Sequence, residues 1–136
     1  MYEIGDIVDV KNLPKVSATI WGKSINIDLK EASRLIDIDL HNTSNSDYEY
    51  LVVYLEKDVS YEMDVNYYDI KDVIGKEECI KQMYDLLDYV RTEKGDEGIV
   101  IAVYEDGSDV NYDVLIEDGI GGFETTYVYE SDIRKI

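Results

Sequence analysis

The sequence is poor in the residues on which disulfide, metal and catalytic chemistry depend. Its 136 residues include one cysteine, one histidine and one proline. A single cysteine excludes an internal disulfide and a multi-cysteine metal cluster. The histidine, His41, lies in a polar loop, and a catalytic pair would need a nearby serine or Cys79, which is expected on the core side of a helix. No glycine-rich segment precedes a helix that would receive a phosphate. We therefore predict a protein that is not an enzyme and has no catalytic residues, no cofactor and no metal site.

Long apolar segments are absent as well. No apolar run approaches the roughly 20 residues that are needed to cross a membrane. The acidic N-terminus, Met1-Tyr2-Glu3-Ile4-Gly5-Asp6, lacks the basic and apolar regions of a secretory signal. We expect a cytoplasmic protein with no membrane partner.

Positive charge is the third shortage. Lys and Arg number 13 against 31 Asp and Glu, which gives a formal net charge of −18. Duplex DNA carries a charge about every 1.7 Å, so this charge equals that of roughly 31 Å of DNA. Such a surface repels nucleic acid and attracts basic proteins. The charge therefore predicts a basic protein partner and no direct binding of nucleic acid.

Short alternating segments dominate the chain and predict a mainly β protein. We expect strands at residues 5–10 and 18–21, a hairpin of residues 48–55 and 61–68 that turns near Lys57 and Asp58, and a meander of residues 98–104, 112–117 and 125–129 that ends in a turn and an edge strand.

Two helices are predicted. Ile80, Met83, Tyr84 and Leu87 recur at helical spacing, which predicts an amphipathic helix over residues 76–92 with these side chains buried. A capping-box pattern predicts a short helix over residues 29–36.

The two halves of the chain resemble each other. Residues 48–55, 61–65 and 69–73 match residues 111–118, 124–128 and 132–136 at a constant offset of 63 residues. Each set reads as strand, turn, strand and then an acid-Ile-base ending, which favours an internal duplication.

The C-terminal half contains an apolar strand at residues 98–103, the segment Tyr112-Asp113-Val114 and the ending at residues 127–136. Together these resemble the SH3-like small barrels of the Tudor and KOW type, in which a Gly-x-Val strand leads a meander that closes on a V-x-x-x-D-L/I turn. Residues 5–10 are similar to the opening strand of those barrels. The resemblance implies a protein-binding or nucleic-acid-binding module rather than an enzyme. The second half, however, has no obvious opening strand before Gly98.

We therefore predict an α+β fold dominated by β-structure, with two duplicated SH3-like small barrels joined by one amphipathic helix. The expected organisation is an N-terminal β unit at 1–75, a connecting helix at 76–94 and a C-terminal β unit at 95–136. A single compact domain of residues 1–136 is the alternative.

The acidic residues that we predict to bind a partner lie on outward faces with few bases beside them. On the predicted strand and helix these are Glu62, Asp64, Glu78, Asp85 and Asp88. Glu78 and Asp85 are seven residues apart, which would place them on one helix face roughly 10.5 Å apart. A similar ladder contains Asp37 and Asp39.

The size, charge and tyrosine content are similar to those of phage-encoded anti-restriction and anti-CRISPR proteins. The likeness implies a non-enzymatic inhibitor that mimics DNA and binds a basic nucleic-acid-binding protein, such as a host defence nuclease, in the host cytoplasm. The alternatives are an immunity protein that neutralises a basic toxin and an SH3-like adaptor. The sequence leaves the oligomeric state open.

Overall fold

The described part of the chain forms one curled antiparallel sheet of ten strands. The computed structural model describes residues 1–13, 15–26, 44–79, 81–106 and 108–136. The predicted helix at 29–36, His41, Asp37 and Asp39 lie outside these residues. The strands are β1 (Asp6–Val10), β2 (Ser17–Ile25), β3 (Tyr48–Glu56), β4 (Val59–Asn66), β5 (Ile70–Lys76), β6 (Tyr89–Thr92), β7 (Glu97–Glu105), β8 (Val110–Glu117), β9 (Phe123–Tyr129) and β10 (Ile133–Lys135).

The strand order is the same in both halves of the sheet. Hydrogen-bonded neighbours run β5-β1-β2-β3-β4 in the first half and β10-β6-β7-β8-β9 in the second. A short 3-10 helix precedes the last strand of each half, at Tyr67–Asp69 and at Glu130–Asp132. The opening strand that the sequence reading lacked in the second half is β6.

The halves are joined by a short pairing between β2 and β7. Gly22 lies opposite Tyr104, Lys23 opposite Val103 and Ser24 opposite Ala102. The ladders between β2 and β3 and between β7 and β8 each contain a bulge just before this point. Because a bulge bends its strand, it increases the local twist where the halves meet.

The segments that lead into β1 and β6 have the same local structure. The N–H of Tyr2 donates to the Tyr50 hydroxyl at 3.2 Å, and the N–H of Tyr84 donates to the Tyr112 hydroxyl at 3.3 Å. In both pairs the rings meet edge-on, with centroids 5.5 Å apart and an interplanar angle of 73°. Residues 84–88 therefore repeat the structure of residues 2–6.

The same correspondence holds for the turn that follows each tyrosine. The carboxylate of Asp6 accepts the N–H of Glu3 at 2.9 Å, and that of Asp88 accepts the N–H of Asp85 at 2.9 Å. Between them, Gly5 and Leu87 both have positive φ, of 93° and 71°. Each aspartate thus closes a tight turn just before its strand.

The predicted amphipathic helix over residues 76–92 is wrong. Lys76 ends β5, Tyr89–Thr92 forms β6, and the described residues between them form no helix. Met83, which the helical stripe would bury, is 71% exposed. The described residues of the connecting segment instead form irregular chain that ends in the turn at Asp88.

The predicted fold class is wrong for the same reason. Tyr84 and Leu86 are both buried, and burial of alternate residues is the period of extended chain rather than of a helix. The structure is nearly all β and forms one curled sheet, with no helix of seven or more residues in the part of the chain that is described.

Both predicted strand groups are confirmed. The N-terminal hairpin consists of β3 and β4, which turn at Lys57 and Asp58 with φ of 52° and 65°. Positive φ at both central residues is the geometry of a two-residue turn that matches strand twist. The C-terminal meander consists of β7, β8 and β9, and β10 follows it.

One hydrophobic cluster contains side chains from both halves. Val8, Ile20 and Val52 from the first half and Val90 and Val114 from the second are fully buried within it. Across the described residues, helices are too short and too polar to cross a membrane.

Candidate acidic binding surface

The pairing of β2 with β7 creates a continuous surface across six strands, β4-β3-β2-β7-β8-β9. Residues that lie directly opposite each other in antiparallel strands share a face of the sheet. Two such rows cross all six strands, Asp64-Leu51-Gly22-Tyr104-Asn111-Tyr129 and Asn66-Glu49-Ser24-Ala102-Asp113-Tyr127. Strand alternation adds Glu62 to the same side. We call this surface the central face.

Small residues form the middle of the central face. Gly22, Ser24 and Ala102 lie where β2 meets β7. A β-carbon on Gly22 would lie 2.6 Å from Cδ1 of Tyr104, which is closer than real contacts allow. Glycine is therefore required here, because the Tyr104 ring lies directly over its backbone.

Carboxylates from both halves surround the Tyr104 hydroxyl. This hydroxyl lies 3.4 Å from Oδ2 of Asp113. Burial raises the pKa of Tyr104 to about 12, and the negative charges of Asp113, Asp64 and Glu49 add to the increase. Asp113 itself has a raised pKa because it is partly buried, although its hydrogen bond with Tyr104 opposes the shift. Carboxylates from two distant segments of the chain thus raise the pKa of the same hydroxyl group.

A buried amide lies beside these acids. Asn111 is 4% exposed, and within the described residues its Oδ1 has no hydrogen-bond partner. Burial raises the pKa of the Tyr127 hydroxyl, and a hydrogen bond with the Asn111 side chain opposes this shift, as expected if the Asn111 amide donates. An unsatisfied buried acceptor costs about 1–3 kcal/mol. The central face therefore contains an acceptor that folding leaves unused.

Two exposed tyrosines flank this amide on β9. Tyr129 lies opposite Asn111 and Tyr127 opposite Asp113, and the two rings meet edge-on with centroids 5.9 Å apart. Tyr127 is 56% exposed and Tyr129 is 49% exposed. Apolar ring surface thus borders the carboxylates on the solvent side.

The structure places two of the predicted binding residues, Glu62 and Asp64, on the central face. Both are exposed on β4, as their alternation predicted. Glu49 and Asp113 were not among the predicted binding residues, although each lies in a segment that alternates as a strand. These residues share one face only because β2 pairs with β7, and no local sequence pattern predicts that pairing.

The other predicted binding residues lie elsewhere. The carboxylate of Asp88 accepts the backbone N–H of Asp85, and its Oδ1 lies 3.9 Å from Nζ of Lys135. Asp85 accepts a bond from Gln82. Glu78 is exposed in the segment after β5. The turn at Asp88, rather than a helix face, determines where Asp85 and Asp88 lie.

The described residues show no arrangement suited to a metal ion. No group of three or more His, Cys, Asp or Glu side chains converges there as metal ligands would. Cys79 is half-buried, its Sγ lies 3.5 Å from the carbonyl oxygen of Ile4, and burial raises its pKa. Since the thiolate is the reactive form, this environment makes Cys79 a poor nucleophile.

Comparisons with protein families, with characterised proteins and with solved structures found no match for the chain. The resemblance to SH3-like small barrels and the compositional likeness to phage inhibitors therefore stay predictions.

Proposed function

We propose that the protein is a non-enzymatic inhibitor whose central face occupies the DNA-binding surface of a basic protein. The observation that carries the proposal is the β2–β7 pairing, which assembles Glu49, Glu62, Asp64 and Asp113 on one side of the sheet. None of the paired positions of this face in the described strands holds a Lys or Arg.

The absence of bases on this face distinguishes it from an ordinary solvated surface. Surfaces shaped by solubility alone intersperse charges of both signs, which reduces repulsion. Here the carboxylates are uncompensated, and the net charge of −18 adds to their repulsion. Binding to a positively charged surface removes that cost.

The number of charges limits how much DNA the face can imitate. The four carboxylates that the β2–β7 pairing assembles equal the phosphates of about two base pairs. The acids of this face therefore mark a local contact, while the overall charge accelerates the encounter with a basic partner. The tyrosines beside them supply the apolar area typical of a protein interface.

The test is displacement of proteins from DNA. A bacterial lysate is bound to immobilised duplex DNA, and the column is washed with the protein at fixed, near-physiological ionic strength. We expect the wild type to elute DNA-binding proteins. The variant Glu49→Gln/Glu62→Gln/Asp64→Asn should elute little, because it lacks most of the charge on the central face.

A matched control has the same net charge. Glu56→Gln/Glu93→Gln/Glu124→Gln neutralises three exposed carboxylates in the turns and strand ends outside the central face, and it should elute as the wild type does. Equal elution by both triple variants would mean that overall charge acts without the central face. No elution by the wild type would contradict DNA mimicry and leave the toxin-immunity and adaptor alternatives.

A further inference from the structure

We propose that the central face binds an arginine side chain of its protein partner, with the guanidinium held by Asn111 and Asp113 and covered by Tyr127 and Tyr129. This inference rests on the proposed function, because it names the group of the basic partner that the surface recognises.

The four residues form a compact square on two neighbouring strands. Asn111 and Asp113 are two apart on β8, which separates them by about 6.7 Å on one face. Tyr129 and Tyr127 lie directly opposite them on β9, which brings each pair of β-carbons to about 5 Å. A single planar group can therefore meet two acceptors and two rings.

The unused oxygen of Asn111 indicates what kind of ligand fits. Its Oδ1 is buried without a partner in the described part of the chain, and the neighbouring Asp113 carboxylate also accepts hydrogen bonds. A ligand that satisfies both must donate at least two hydrogen bonds in different directions and is favoured if it carries positive charge. Phosphate, carboxylate and nucleic-acid backbones are excluded because they accept hydrogen bonds.

Arginine meets this requirement better than lysine. Its guanidinium presents five N–H donors in a planar fork, whereas the lysine ammonium concentrates three donors at one point. A planar cation also stacks on tyrosine rings. Methylation of the guanidinium removes donors and blocks two-point hydrogen bonding, so it should weaken binding at this site.

Entry requires movement of a tyrosine ring. Oδ1 of Asn111 is covered in the structure, and the rings directly opposite Asn111 in the register belong to Tyr104 on β7 and to the half-exposed Tyr129 on β9. Exposed side chains change rotamer within nanoseconds. A ring that turns outward opens the oxygen and can then close over the guanidinium.

The experiment titrates the full-length protein with the acetylated and amidated tripeptides Gly-Arg-Gly and Gly-Lys-Gly, followed by NMR or calorimetry. We expect the arginine peptide to bind about fivefold or more tightly than the lysine peptide, because of two-point hydrogen bonding and stacking. Asn111→Leu should remove this preference, since it deletes the acceptor and leaves the charges unchanged. The control Asn45→Leu makes the same substitution at an exposed position in the 3-10 helix Asn45–Asp47.

Several outcomes would overturn the inference: equal binding of the two peptides, no binding of the arginine peptide at millimolar concentration, or an arginine preference that Asn111→Leu leaves intact. If Asn111→Leu does not fold, Asp113→Asn and Tyr129→Leu decide, because each must lower arginine affinity. The peptides involve no DNA-binding protein. Arginine binding without displacement from the DNA column would therefore disprove DNA mimicry alone, and displacement without arginine preference would disprove this inference alone.

Discussion

At the scale of single residues, the central face contains groups that do not help the protein to fold. Asp113 is partly buried beside Tyr104, and burial raises its pKa. Asn111 has a buried oxygen without a partner among the described residues. Side chains that cost stability are retained most often where they serve binding.

We expect Asp113→Asn to stabilise the protein at neutral pH by up to about 1 kcal/mol, because it removes a partly desolvated charge. The raised pKa means that the folded state takes up the proton of Asp113 before the unfolded state does. Relative to Asp113→Asn, the wild type therefore gains stability as the pH falls from above the folded pKa of Asp113 to the ordinary value, 3.8.

The measurement is chemical denaturation of both proteins between neutral pH and pH 3. The advantage of Asp113→Asn should be greatest at neutral pH and should shrink toward pH 3, where the aspartate is neutral in both states. An advantage that grows as the pH falls would show that the folded state stabilises the charged form instead.

At the scale of elements, the two aspartate turns position the strands that open each half. We expect Asp6→Ala and Asp88→Ala each to destabilise the protein by about 1 kcal/mol, because each removes the carboxylate that accepts a backbone N–H. The sequence alone would predict a near-neutral Asp88→Ala on a helix surface.

Urea denaturation measures both effects, and Glu78→Ala is the control. Glu78 is exposed in the same connecting segment, and the described residues give it no hydrogen bond of this kind. If Asp88→Ala leaves the free energy of unfolding unchanged, the turn does not depend on the hydrogen bond that the Asp88 carboxylate accepts.

The hairpin and the meander were predictable because their information is local. Alternation and turn residues lie within a few positions of each other, so the register of β3 with β4 follows from the turn at Lys57 and Asp58. The exposure of Glu62 and Asp64 was predictable for the same reason. Glu49 and Asp113 were not, because only the distant β2–β7 pairing brings them together.

The helix prediction failed because helical spacing and the alternation of extended chain cannot be told apart over a few residues. Tyr84 and Leu87 fit a helical stripe, but the N–H of Leu87 bonds to the distant carbonyl oxygen of Val100 at 2.7 Å. The sequence does contain a local sign of the turn, because the segment Tyr84-Asp85-Leu86-Leu87-Asp88 has the tyrosine and acidic positions of Tyr2-Glu3-Ile4-Gly5-Asp6. Those shared positions form the shared turn.

At the scale of the whole molecule, the hydrophobic cluster that the two halves share should make unfolding one event. Val8 and Val90 occupy matching strands of the two halves, and both are fully buried in that cluster. We expect Val8→Ala and Val90→Ala each to cost about 2 kcal/mol and to lower the midpoint of one shared transition.

Calorimetry, together with tyrosine fluorescence, checks this expectation. Two separate transitions, of which each variant shifts only one, would show that the halves unfold independently despite the β2–β7 pairing.

The β2–β7 pairing has the geometry of a twofold dimer contact within one chain. Its middle pair joins Lys23 to Val103, which occupy corresponding positions in the two halves. A homodimer built on this contact would have to present every side chain twice. A single chain is free of that obligation, and its halves differ: by strand register, Glu49 and Asp64 correspond to Asn111 and Tyr127 in the other half. One half thus forms the acidic end of the surface and the other its aromatic end, an asymmetry that a symmetric homodimer cannot have.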